Sequence, residues 1–184
     1  MSVVALWSPN DLLLSVLTPI GLAMTRAETL VIDLDPAGPR YASEYSLADL
    51  VTNGPTRTQL EPRSKAIAVL PNGGIGVDEA ARVVSELVAR WPNTVLRCNP
   101  TAPPPETAIS ILPLLPEPFM VRPTTRTVYQ RLGFAPTVPK STAPKGTLIL
   151  PRPGRSTIDA LMGLRSMPVK SPWLRQLSRL WSAA

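Results

Sequence analysis

Residues 65–98 read KAIAVLPNGGIGVDEAARVVSELVARWPNTVLRC. An apolar run over Ala66–Leu70 meets a glycine turn, and a second apolar run over Thr94–Cys98 closes the unit. Between them Ala80, Val83, Val84, Leu87, Val88 and Trp91 recur at helical spacing from Asp78 to about Arg90. Asp78 and Glu79 suit the positive end of that helix, and Pro92-Asn93 ends it. This is a β-α-β unit. Its strands are apolar almost throughout, which suits strands covered on both sides, so the spacing predicts an α/β fold with a mainly parallel sheet and helices on both faces.

The same alternation extends upstream. Ser2–Trp7 reads as a strand, and Leu12–Met24 as a helix capped by Asp11 and either kinked or restarted at Pro19. Thr29–Leu34 is the next strand, Ser46–Val51 one or two helical turns, and Thr56–Ser64 a polar loop. Downstream, a proline-rich connection (99–106) leads to apolar runs at Ala108–Leu115 and Phe119–Arg122. A helix is predicted over Thr124–Leu132, an exposed loop over Ala135–Lys145, a strand over Thr147–Leu150 and a short helix over Thr157–Leu164. Two units result: an α/β domain over 1–165 and a C-terminal amphipathic basic helix over 166–184.

Composition narrows the chemistry. The chain has 184 residues and no histidine, which excludes histidine-based triads and zinc sites, and the single cysteine, Cys98, excludes an internal disulfide. The longest apolar stretch is interrupted by proline and too short to span a bilayer, so a cytoplasmic protein is expected. The net charge of +6 is uneven: residues 1–100 hold 8 basic and 10 acidic side chains, whereas 101–184 hold 11 and 3. The basic half suits a phosphate-bearing surface, nucleic acid or anionic lipid, or a merely solubilising one. Arg122, Arg126, Arg131, Arg152, Arg155 and Arg165 gather there with only Tyr129 and Phe134 as aromatics, so solvated surface is favoured over DNA contact.

Thr29–Pro36 spells TLVIDLDP, a strand delivering Asp33 and Asp35. Together with Val3–Pro9 (VVALWSP) and Ser46–Leu50 (SLADL), it resembles the N-terminal half of the ParA/MinD-type ATPases. The resemblance implies a P-loop NTPase-like fold, a phosphate-binding loop rich in glycine and lysine after the first strand, and an aspartate near magnesium at Asp33 or Asp35. Here that loop is Ser8-Pro9-Asn10-Asp11, without glycine or lysine, and Arg97 stands where the family's third motif places an acid. A degenerate, non-catalytic member is therefore expected, with no cofactor and no metal, acting as a scaffold or as a regulator of an active ATPase.

Residual nucleotide contact, or the unconventional site of a true nucleotide-dependent ATPase, which is the alternative reading, would fall to Asp33, Asp35, Asn72, Gly73, Gly74 and Gly76. For the aspartates the alternative is an Asx turn at a strand end, and for Asn72–Gly76 a tight turn between strand and helix. In the tail, Trp173, Leu174, Leu177, Leu180 and Trp181 form an apolar stripe beside Arg175 and Arg179. The stripe suits an anionic membrane surface or a protein partner, as in the amphipathic targeting helix of MinD proteins, or docking on its own domain. On the first reading, aspartate at Leu177 and Trp181 releases attachment without unfolding the domain. Nucleic acid and a second copy of the chain are the remaining candidate partners.

Overall fold

In the computed structural model, which describes residues 1–9, 12–38, 41–61, 67–115, 126–132, 143–163 and 170–182, seven strands form a single sheet. They are β1 (Ser2–Trp7), β2 (Thr29–Asp33), β3 (Ile67–Leu70), β4 (Asn93–Arg97), β5 (Ile109–Pro113), β6 (Arg126–Gln130) and β7 (Ile149–Leu150), in the order β3-β2-β4-β1-β5-β6-β7. Every pairing is parallel. The helices are α1 (Leu12–Ala23), α2 (Leu47–Asn53), α3 (Arg57–Leu60), α4 (Val77–Arg90), α5 (Arg155–Leu161) and α6 (Pro172–Leu177), and a 3₁₀ turn over Ser178–Ser182 continues α6.

Because successive strand residues point to opposite faces, the sheet has two cores. Val4, Leu6, Val31, Val95, Ile111 and Val128 pack with α1, α5 and α6. Leu30, Ile32 and Leu70 pack on the other face with Leu47 and Leu50 of α2 and with Ala80, Val83 and Leu87 of α4. Helices on both faces of a parallel sheet are what the apolar strands called for.

Three local expectations change. The segment predicted as a helix over 124–132 is strand β6 in its described part. Thr127, Val128 and Tyr129 are β-branched or aromatic, and β5 and β7 flank them on either side. The polar loop at 56–64 contains the single turn α3, where Gln59 Oε1 accepts from the Thr56 amide at 2.7 Å and its hydroxyl at 2.9 Å. Helix α1 runs unbroken through Pro19. The expected Asp11 cap, the Phe119–Arg122 run, most of the 135–145 loop, and Arg122, Phe134 and Arg165 lie outside the described residues. No described helix is long and apolar enough to cross a membrane.

The tail is the larger correction. Trp173, Leu177, Leu180 and Trp181 are buried in the core that α1 and the sheet share, Leu174 is half-buried, and only Arg175 and Arg179 of the stripe segment face solvent. The Trp173 indole lies against Gly21 of α1, where a Cβ would stand 2.4 Å from it. Its N–H donates to Gln130 Oε1 at 2.7 Å, and Gln130 in turn donates to the Pro151 carbonyl at 2.8 Å. Trp181 donates to Thr25 Oγ1 at 2.9 Å, beneath the Arg26 guanidinium, 4.7 Å from the ring centroid. The stripe read as a membrane or partner contact is thus packed on its own domain, because both indoles find apolar surface and an acceptor there.

Aspartate at Leu177 or Trp181 is accordingly expected to unfold the domain rather than merely release a contact. Trp173→Ala should cost about 3–5 kcal/mol in urea denaturation, whereas Arg175→Ala should stay within about 0.5 kcal/mol. Equal effects of the two would contradict the burial of this face.

Candidate functional site

The C-terminal ends of β2 and β4 lie side by side, with Asp33 in register with Arg97. Both side chains are buried, 1% and 2% exposed. A charge so placed is tolerated only when paired and hydrogen-bonded, and Arg97 uses every edge of its guanidinium. Nη1 meets Asp33 Oδ1 at 2.7 Å, Nη2 meets Asp35 Oδ2 at 3.1 Å, and Nε donates to the carbonyl of Ser15 at 3.0 Å and to its hydroxyl at 3.2 Å.

The Ser15 carbonyl is available for a specific reason. In an α-helix it would accept from the amide four residues on, which is Pro19 and has no N–H. The proline that argued for a kink instead leaves a free acceptor in the helix wall, and the arginine fills it. Tyr41 closes the same side, its hydroxyl donating to the Val16 carbonyl at 3.3 Å.

Both aspartates also make Asx turns, the alternative raised from the sequence. The Asp35 amide donates to Asp33 Oδ1 at 3.0 Å and the Ala37 amide to Asp35 Oδ1 at 3.1 Å. Gly38 follows, and a Cβ there would stand 2.5 Å from Asp33 Oδ2 and 2.6 Å from Arg97 Nη1, so only glycine lets this backbone close over the pair. Across the cleft, Asn72 is buried at the end of β3, and its amide donates to the Asp33 carbonyl at 3.3 Å. Its Oδ1 accepts from the amides of Gly74 at 2.9 Å and Ile75 at 2.7 Å. Gly73 and Gly74, both at positive φ, complete the turn, and Gly73 lies against Ser46 at the start of α2.

The result is a cleft of about 460 Å³ lined by Asp33, Asp35, Gly38, Tyr41, Ser46, Asn72 and their neighbours. Asp33, Asp35, Asn72, Gly73 and Gly74 come together as the sequence suggested, while Gly76 stands apart at the N-terminus of α4. The tail residues belong to the core described above, not to this cleft. Ser46, Tyr41 and Gly38 were not singled out from sequence.

Phosphate finds little here. Two amides of the glycine turn are committed to Asn72, and the first amides of α2 donate to the Pro71 and Asn72 carbonyls at 2.7 and 3.0 Å. Helix α4 opens on Asp78 and Glu79, which repel an anion. The connection from β1 to α1 spans only residues 8–11, and Ser8 is turned inward, donating to the Ile111 carbonyl at 3.0 Å. Nor does the site fit magnesium: both carboxylates are held by a guanidinium, and among the described residues no three acidic or cysteine side chains gather to hold a metal.

Burial pushes the Asp33 carboxyl above its ordinary 3.8, against the pull of the Asp35 amide and Arg97. Burial works against the Arg97 charge too, but the combined pull of Asp33, Tyr41 and Asp35 holds the guanidinium above its ordinary value. The Tyr41 phenol is raised by burial. Burial also pushes the Cys98 thiol to about 12, which leaves it a poor nucleophile.

Arg97→Met should cost about 3–5 kcal/mol, because it strands two buried carboxylates. An acid whose folded pKa is raised contributes stability that is complete below its unfolded value and lost as pH rises through the folded one. Asp33 titrates in this sense, and Arg97→Met should steepen it, so the variant should recover relative to wild type as pH falls from 7 to 4. A constant difference in melting temperature across that range would refute the pairing. No family model matches the chain and no curated protein matches it.

Proposed function

We propose that this chain is a non-catalytic ParA/MinD-like binding or scaffolding protein, a pseudo-ATPase whose nucleotide position is closed from within. One observation carries the reading: the Arg97 guanidinium sits on Asp33 and Asp35, the two acids that the resemblance would give to magnesium and the attacking water. The short glycine-free connection after β1 and the committed amides of the glycine turn support it. A parallel sheet with β1 and β4 adjacent at its centre is compatible with such an ancestry.

Contact with a protein partner, or with an anionic membrane surface, then falls to exposed polar residues rather than to the apolar stripe. On the described part of the tail these include Lys170, Arg175 and Arg179. Arginines at the surface of a docked helix attract an anionic face without insertion, and such attraction weakens steeply with salt.

Calorimetric titration of the full chain with ATP, with and without magnesium, is expected to give only heats of dilution. Binding in the micromolar range, about −8 kcal/mol, would overturn the proposal. Sedimentation with anionic vesicles tests the tail. Retention at low salt should be lost in Arg175→Glu/Arg179→Glu with an unchanged melting temperature, and wild-type protein left in the supernatant would remove the membrane contact.

A further inference from the structure

Of the four carboxylate oxygens on Asp33 and Asp35, three have donors and Asp33 Oδ2 has none, although it is buried. A buried carboxylate oxygen without a donor is costly and signals a missing partner. It lies under Gly38, at the base of the cleft that Asp33 and Gly38 both line. The partner must bring a proton to donate. A positive donor suits the site best, because two carboxylates face one guanidinium and, among the described residues, no lysine or arginine lines the cleft.

We infer that this cleft is a binding site for a small organic cation, a primary alkylammonium whose N–H donates to Asp33 Oδ2 while its alkyl part lies against Tyr41, Pro36 and Pro71. The ammonium supplies three donors on a compact head. The apolar wall and an aromatic face suit the chain behind the head. A divalent ion is a poor occupant, because Arg97 already holds the oxygens it would need. The inference rests on the reading that the cleft does not take nucleotide, since a polyphosphate would meet the same carboxylates.

The test follows the amide resonances of Gly38, Gly73 and Gly74 in the full-length protein at constant ionic strength. The probes are n-butylammonium chloride, n-butanol and ATP with magnesium. Saturable shifts with butylammonium and none with butanol are expected, and Asp33→Asn should weaken them at least tenfold. Should that variant fail to fold, tetramethylammonium chloride on the wild-type protein keeps the charge but has no N–H to donate, and it should give no saturable response; a response equal to that of butylammonium would overturn the inference. No saturable shift, an equal response to butanol, or full affinity in a folded Asp33→Asn would overturn the inference. Silence towards both butylammonium and ATP would sink this inference alone, whereas shifts with ATP would sink it together with the nucleotide-free reading.

Discussion

The contact between Arg97 and the pair Asp33 and Asp35 ties together four parts of the molecule. Arg97 ends β4, Asp33 ends β2, Asp35 starts the turn towards Gly38, and Ser15 lies on α1. Each bond answers a demand made elsewhere: the turn needs acceptors, the helix has a carbonyl that Pro19 cannot serve, and the arginine needs opposite charge once buried. Removing any one partner leaves another unsatisfied in low dielectric, where an unpaired group costs more than the pair contributes. For this reason the ends of the adjacent strands β2 and β4 and the wall of α1 are best regarded as one structural unit.

The packing of the tail is fixed by different chemistry. Trp173 and Trp181 carry large apolar areas into the α1 side of the core, and each indole N–H meets a side-chain acceptor. The last described residues of the chain therefore complete a core begun by the first strand, which makes folding depend on contacts of very long sequence separation. Gly21 of α1 lies against the Trp173 ring, and its lack of a side chain is what admits that ring.

Much of the architecture could be read from the sequence because it is written in periodicity. The β-α-β unit around α4 and the strand carrying Asp33 follow from alternating apolar runs and helical spacing, and so does a parallel sheet covered on both faces. Two things escaped because they are decided by tertiary partners. Arg126–Gln130 falls within a helix predicted from sequence, but two parallel neighbours make it a strand. The tail's amphipathic stripe is identical whether it meets a membrane, a partner or its own core, and only the position of Gly21 and Gln130 decides. For Arg97 a signal was present: an arginine inside an apolar strand must find acids, and the nearest strand of the same type ends in two. What the sequence could not convey is that Pro19 would supply the third acceptor.

This arrangement limits how the cleft can work. A site that releases Arg97 on binding would have to place a guanidinium and two carboxylates in new surroundings, and no described group stands ready to receive any of them. Exchange of the internal cation for an external one is therefore opposed by several kcal/mol per uncompensated charge, on the order expected for broken buried pairs. A ligand gains more by binding above the intact pair, where only Asp33 Oδ2 lacks a donor. The cleft is consequently preorganised, with the charge of its floor set by the fold and its selectivity following from that charge. Anions meet two carboxylates at close range, while the single guanidinium beneath them is already turned towards its own partners.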